Sequence, residues 1–156
     1  MLLLLLVTTA TAWAEADLII RSEADWNTFA ANVANATNDY NGKLVVLAAD
    51  ISVSTMAGAD NYNFFRGTFD GCGHTLTINL TGGYSGTAPF RRIENATIKN
   101  LNVTGTITTT YGMAGRIGFV TYGITHITNC LSTVSITGHG SGTDGGLVSC
   151  NNNELY

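Results

Sequence analysis

The chain has 156 residues, of which 45% are apolar and 12% are charged, and it carries a formal net charge of −4. This apolar content lets one domain bury a continuous core, which excludes a disordered chain. The basic residues are few and scattered, which excludes the basic patch of a nucleic-acid-binding protein. Abundant Thr and Asn, with 18 Gly and a single Pro, favour many short strands joined by tight turns.

Residues 1–14, MLLLLLVTTATAWA, are predicted to be a signal peptide. The apolar run that starts at Leu2 is too short to span a bilayer, and Ala12 and Ala14 supply the small residues that precede a cleavage site. We therefore expect a secreted or cell-surface protein. Its mature chain would begin at Glu15 and have no membrane span.

Residues 22–36, SEADWNTFAANVANA, carry a helical pattern. Ser22 and Asp25 have the spacing of a capping box, with Asp in place of the usual Glu. Four apolar residues recur at helical spacing: Trp26, Phe29, Ala30 and Val33. The sequence therefore predicts a helix that buries one side.

The hydrophobic pattern changes after the helix. Residues 43–51, KLVVLAADI, form a continuous apolar run that predicts a strand buried on both faces. Short β segments separated by turn residues follow at 75–80, 96–108 and 126–137.

The last two of these segments align with each other at an offset of 29 residues. Ile98 matches Ile127, Asn100 matches Asn129, and Cys130 falls on the apolar position of Leu101. A repeat of this length is typical of a solenoid, in which each coil covers the core of its neighbour. The isoleucines are then expected to stack in the core, and the asparagines are expected to form a ladder of side-chain amides.

The repeat predicts two regions after the signal peptide cleavage site. Residues 15–42, with the helix at 22–36, are expected to cap the first coil, and residues 43–156 are expected to form the β-helix coils. The sequence has no second cap after the last coil. We expect either a fragment of a longer array or a C-terminal coil that docks end to end with a partner.

Residues 65–80, FRGTFDGCGHTLTINL, are predicted to form a turn and a strand. Gly71 and Gly73 are expected to adopt positive φ, and Asp70 is expected to accept a hydrogen bond from the backbone just ahead of it. Gly67 completes the set of turn residues. On this interpretation Asp70 and His74 are parts of a corner and not a catalytic pair.

Three motifs resemble a known family. Phe-x-Gly-x-Phe-Asp-Gly-x-Gly-His-Thr-Leu-Thr, then Asn-Ala-Thr-Ile-Lys-Asn-Leu and finally Gly-Gly-Leu-Val are similar to the first coils of exported bacterial right-handed parallel β-helix proteins. More narrowly, they resemble the members with GLUG repeats, named for Gly-Leu-uncharged-Gly. The resemblance covers about residues 18–150. It implies an all-β, pectate-lyase-like solenoid with a short N-terminal capping helix, in an adhesin-like surface protein.

The preferred function is a non-enzymatic module that binds a glycan or another ligand on a host or cell surface. Aromatic rings can stack on sugars and arginines can pair with anionic groups, although packing in corners explains the tyrosines equally well. The candidate ligand contacts are Tyr84, Tyr111, Tyr122, Arg91 and Arg92. We predict no catalytic residue, no metal site and no cofactor, because the His and Cys residues lack metal-ligand spacing. The pairing of Cys72, Cys130 and Cys150 stays open.

Three alternatives remain. The first is a polysaccharide-cleaving enzyme: a glycoside hydrolase would need two positioned carboxylates, and a polysaccharide lyase would need a base with a cation that neutralises the uronate. Asp60, Asp70 and Asp144 lie neither close together nor at the coil offset. A structural spacer or assembly unit of a larger surface protein is the second. The third is an ice-binding protein, in which rows of threonines such as Thr106 and Thr108 would contact the ice.

Overall fold

The strands of this chain wind into a parallel β-solenoid of about four turns, seen in a computed structural model. The structure describes residues 15–58, 63–82, 86–110, 114–138 and 146–151. Within these ranges the helix is α1 (Glu23–Ala34). The strands there are β1 (Leu18–Ile20), β2 (Leu44–Leu47), β3 (Ile51–Val53), β4 (Thr68–Asp70), β5 (Thr75–Gly82), β6 (Phe90–Glu94), β7 (Thr97–Lys99), β8 (Asn102–Thr109), β9 (Gly118–Tyr122), β10 (His126–Thr128), β11 (Leu131–Ser132), β12 (Ser135–Gly138) and β13 (Val148–Asn151).

Three parallel sheets form the sides of the solenoid. Sheet A has the order β1-β2-β4-β7-β10, sheet B has the order β3-β5-β8-β11 with β12 also on β8, and sheet C has the order β6-β9-β13. The chain passes through sheets A, B and C in turn. We therefore number coil 1 (β2 and β3), coil 2 (β4 to β6), coil 3 (β7 to β9) and coil 4 (β10 to β13). Paired strands of neighbouring coils lie about 4.8 Å apart.

The register of coils 3 and 4 confirms the 29-residue repeat. Ile127 pairs with Ile98 in sheet A, and Ile136 pairs with Ile107 in sheet B. Ile98 and Ile107 are fully buried, whereas Ile127, Ile136 and Cys130 are partly buried against the same core. The predicted apolar ladders therefore run through the interior of the solenoid.

Helix α1 is shorter than the predicted range of 22–36. Ser22 is the N-cap, and its Oγ accepts a hydrogen bond from the backbone N–H of Asp25 at 3.2 Å. The carboxylate of Asp25 accepts from the N–H of Arg21, one residue before the position that a standard capping box uses. Asn35 forms the C-cap.

The helix packs its apolar side onto the end of the solenoid core. Trp26 and Phe29 are fully buried. The Trp26 ring lies 6.1 Å from the Phe69 ring, and the Phe29 ring lies 5.6 Å from the Phe65 ring, both edge-on. The indole N–H of Trp26 donates to the carbonyl of Thr55 at 3.1 Å, which satisfies its polar atom. Strand β1 precedes this helix and pairs with β2, so sheet A begins inside the segment predicted as the cap.

The prediction of a single strand across residues 43–51 is wrong. The run divides into β2 in sheet A and β3 in sheet B. Asp50 lies at the corner between them, where its carboxylate accepts a hydrogen bond from the N–H of Thr75 at 2.8 Å. Val45, Val46 and Leu47 are all fully buried, as the uninterrupted apolar run predicted.

Residues 1–14, the predicted signal peptide, lie outside the described residues. In the part of the chain that the structure describes, no helix has the length and apolar character needed to cross a membrane. Export stays a prediction from the sequence.

Candidate functional site

The outer surface of sheet B carries three rows of short polar side chains, which we call the threonine face. In β5 and β8 inward apolar residues alternate with outward polar ones, because successive side chains of a strand point to opposite faces. Parallel pairing then places outward residues of successive coils next to one another. Row 1 is Ser52, Thr77, Thr104 and Thr133; row 2 is Asn79, Thr106 and Ser135; row 3 is Thr81, Thr108 and Thr137.

Hydrogen bonds run along each row from coil to coil. In row 1 the hydroxyl of Thr133 donates to that of Thr104 at 3.0 Å. In row 2 the hydroxyl of Thr106 donates to Oδ1 of Asn79 at 3.2 Å. In row 3 the Oγ1 atoms of Thr108 and Thr137 lie 3.4 Å apart. These contacts restrict the side-chain rotamers, so the rows are ordered before any ligand arrives.

The threonine face contains no charged residue among its ten members. At the border of sheet B, Nδ1 of His74 lies 3.1 Å from Oδ1 of Asp50. The N–H of Thr75 and then His74 hold the pKa of Asp50 below its ordinary value. The far end of row 3 opens into a groove of about 280 Å³. Its lining consists of Thr108, Thr109, Thr110, Thr137 and Gly138.

A second column of polar residues, the corner ladder, lies where sheet A turns into sheet B. Nδ2 of Asn129 donates to Oδ1 of Asn100 at 2.7 Å, and Nδ2 of Asn100 donates to Oδ1 of Asp70 at 3.0 Å. Asp70 is 7% exposed and also pairs with Lys99, whose Nζ lies 3.2 Å from Oδ2. Burial opposes ionisation of Asp70, but the bonds from Asn100, the N–H of Cys72 and Lys99 outweigh it and lower its pKa. The predicted asparagine ladder is thus confirmed, and it extends to Asp70.

The corner at Asp70 matches the prediction in part. The N–H of Cys72 donates to Oδ1 of Asp70 at 2.9 Å, as expected, and Gly73 has a φ of +81°. The expectation of a positive φ at Gly71 is wrong. Gly71 is needed for space, because a Cβ there would lie 2.5 Å from the carbonyl oxygen of Asn100, and Cys72 takes the left-handed conformation with a φ of 50°. Gly67 likewise leaves no room for a Cβ, which would lie 2.5 Å from the carbonyl oxygen of Tyr40.

Arg66 forms an ionic cluster that the sequence analysis missed. Its Nη1 lies 2.9 Å from Oδ2 of Asp39, and its Nε lies 2.5 Å from Oε2 of Glu94. Burial acts to lower the pKa of Arg66, but the two carboxylates outweigh it and raise that pKa. These partners lie 27 and 28 residues away in the sequence, close to the coil period, but no repeat is visible in this part of the sequence that could have revealed them. The cluster ties the segment after α1 to coil 2.

A pocket of about 300 Å³ adjoins this cluster. Its lining includes Val33, Asn38, Asp39, Asn63, Phe64 and Arg66. The guanidinium of Arg66 lies over the Phe64 ring at 5.1 Å, and the Tyr122 ring packs edge-on against Phe64 at 5.2 Å. Both rings are therefore engaged with protein groups.

Three of the five predicted ligand contacts fall among the described residues, and all three lie in strands of sheet C. Tyr84 and Tyr111 lie outside those residues. Tyr122 is half-buried at the end of β9, where it packs against Phe64 and joins a small cluster with Phe119. Arg91 and Arg92 lie within β6 of sheet C, so they are on a different sheet from the threonine face.

Asp39, Asp50 and Asp70 are held by ion pairs and hydrogen bonds. The N–H of Asn41 and the Arg66 guanidinium lower the pKa of Asp39, as neighbouring groups do for Asp50 and Asp70. A general acid needs the opposite shift. Nowhere in the described ranges do three or more His, Cys, Asp or Glu side chains gather in an arrangement that could hold a metal ion.

Comparisons with known proteins gave no match. No protein-family model matches the chain, and no match was found among curated proteins or solved structures. The fold is thus established by the structure as a β-solenoid, whereas the likeness to GLUG-repeat proteins is carried by motifs alone.

Proposed function

We propose that this chain is an extracellular, non-enzymatic binding module for a neutral glycan, and that the threonine face is its binding surface. The observation that carries the proposal is the three-row array of outward-facing, uncharged hydroxyl and amide groups on sheet B. All of these side chains are exposed except those of Thr77 and Thr104, which are half-buried. Sugars present hydroxyl groups and apolar C–H surfaces. Threonine offers both a hydroxyl and a methyl group to such a ligand.

The hydrogen-bonding capacity of the rows supports this function. A threonine hydroxyl has one donor and two acceptor sites, and a ladder contact such as Thr133 to Thr104 uses only part of them. The remaining sites point to solvent on an exposed face. Because the ladders already order the threonine side chains, those side chains would lose little conformational entropy when a ligand binds.

The charge distribution favours a neutral ligand over an anionic one. Arg66 is neutralised by Asp39 and Glu94, and Lys99 is paired with Asp70. Arg91 and Arg92, proposed from the sequence as contacts for anionic glycans, lie on sheet C. The lowered pKa values of Asp39, Asp50 and Asp70 give no support to a hydrolase or lyase, which needs a group poised to exchange a proton.

The test is affinity electrophoresis of the full chain in gels containing neutral or acidic polysaccharides. We expect retention by at least one neutral polysaccharide, without release of new reducing ends. The triple variant Thr104→Val, Thr106→Val and Thr108→Val removes three hydroxyls from β8 while keeping side-chain shape and strand preference. We expect it to lose most of that retention.

The matched control is Thr68→Val, Thr97→Val and Thr128→Val on the outer surface of sheet A. It makes the same chemical change on another face and should keep wild-type retention. Equal losses in both triple variants would contradict the proposal. Release of sugar products would instead support an enzyme, and retention by no polysaccharide would leave the structural spacer as the better account.

A further inference from the structure

The geometry of the threonine face points to one orientation and one class of glycan. We infer that it holds an unbranched, extended polysaccharide parallel to the stack of coils, with one sugar unit to each coil. This inference rests on the proposed function, and it adds the direction, the repeat length and the number of sugars that the face can hold.

The orientation follows from two different spacings on the face. Neighbouring residues within a row belong to successive coils and lie about 4.8 Å apart, whereas outward residues along one strand lie about 6.6 Å apart. The advance of one pyranose unit in an extended, β-linked chain is close to the first spacing and shorter than the second. A polysaccharide parallel to the rows therefore meets equivalent protein hydroxyls at each sugar. A polysaccharide along the strands does not, because its sugar repeat is shorter than the spacing of outward residues.

The number of sugars follows from the longest row. Row 1 crosses coils 1 to 4 through Ser52, Thr77, Thr104 and Thr133. Row 2 lies beside it and crosses three coils, from Asn79 to Ser135. A chain between rows 1 and 2 contacts hydroxyls along both sides. The number of its contacts stops increasing with chain length once a sugar lies at each of the four positions of row 1.

The shape of the face restricts the polymer further. The outward side chains are short and follow a regular sheet, so they form a surface without a deep cleft. A branch that pointed toward the sheet would lift the sugar backbone away from the rows. The absence of charge among the row residues means that binding should depend little on ionic strength.

The test measures dissociation constants of the full chain for oligosaccharides of two to six sugar units, taken from the neutral polysaccharide that retains it. We expect affinity to rise by about threefold or more with each sugar up to four, since each unit adds at least one hydrogen bond. Affinity should then level off to within about twofold. Raising the salt from about 50 to about 500 mM should change it by less than about twofold.

Two variants locate the end of the bound chain. Thr133→Val removes the coil 4 position of row 1 and should move the plateau from four sugars to three. The control Thr128→Val, on sheet A of the same coil, should leave the plateau at four. A plateau at two sugars, a steady rise through six, or no effect of Thr133→Val would overturn the orientation.

Failure of the inference can be distinguished from failure of the proposed function. Binding through the threonine face without the four-sugar plateau overturns only the orientation and repeat. Absence of any glycan binding overturns both. Inhibition of ice recrystallisation without glycan retention would also overturn both, because the rows would then bind an ordered water lattice.

Discussion

The corner ladder and the threonine face are both columns of polar side chains stacked at the coil spacing, but they use their hydrogen bonds differently. In the corner ladder Asp70, Asn100 and Asn129 bond to one another, to backbone groups and to Lys99. In the threonine face the contacts between coils leave hydroxyl sites directed to solvent. The same stacking therefore stabilises the fold in one place and presents a surface in the other. Substitutions should separate the two roles.

The largest expected effect is on stability, from Asp70→Ala in the corner ladder. The change removes the acceptor for Asn100 and Cys72 and leaves Lys99 without its carboxylate partner. We expect the free energy of unfolding to fall by about 2–3 kcal/mol, because polar groups near the core lose their partners. Urea unfolding measures this change. The exposed carboxylate of Asp50 gives a control, and an equal loss in Asp50→Ala would contradict the distinction between buried and exposed contacts.

A smaller effect should appear in acid. The pKa of Asp70 is below its ordinary value of 3.8, so its carboxylate stabilises the fold fully above that pH. This contribution should be lost as the pH falls through the lower, folded-state pKa, because the protonated group no longer pairs with Lys99. Urea unfolding of the wild type and Asp70→Asn between about pH 5 and 2 measures it. The difference between their free energies of unfolding should shrink toward low pH. A constant difference would show that ionisation of Asp70 does not contribute to stability.

The smallest stability effect is expected on the threonine face. Thr104→Val, Thr106→Val and Thr108→Val keep β-branched side chains at outward positions, so each should change the free energy of unfolding by less than about 0.5 kcal/mol. Thermal and urea unfolding measure this. A much larger loss would mean that the row hydroxyls support the fold as the corner ladder does. Loss of glycan retention in the triple variant would then be explained by unfolding.

The repeat allowed much of the fold to be predicted, because apolar and amide residues recur at one offset in coils 3 and 4. The pairs Ile98 with Ile127 and Asn100 with Asn129 are stacked as the sequence indicated. The strand predicted at residues 75–80 is also present, as β5. These features depend on local periodicity, which a single sequence carries.

Other features depend on contacts that local patterns do not record. Periodicity within residues 43–51 could not show that the chain turns at Asp50, since Ile51 continues the apolar run of β2 after the turn. The need for Gly71 comes from the approach of Asn100 in the next coil, and not from its own φ. The clustering of Asp39 and Glu94 around Arg66 requires coil lengths for regions where no repeat is visible. The alternating threonines were visible, but their joint surface appeared only once the register was known.

The coils keep their strands paired although they differ in length. Leu44 pairs with Thr68 at an offset of 24 residues, Thr75 pairs with Asn102 at 27, and Val148 pairs with Gly118 at 30. The added residues are absorbed at corners and loops outside the paired strands. Insertions at these places can therefore diversify the surface without disturbing the stack. A repeat search that lets the period vary at corners should recover the early coils that a fixed 29-residue period hides.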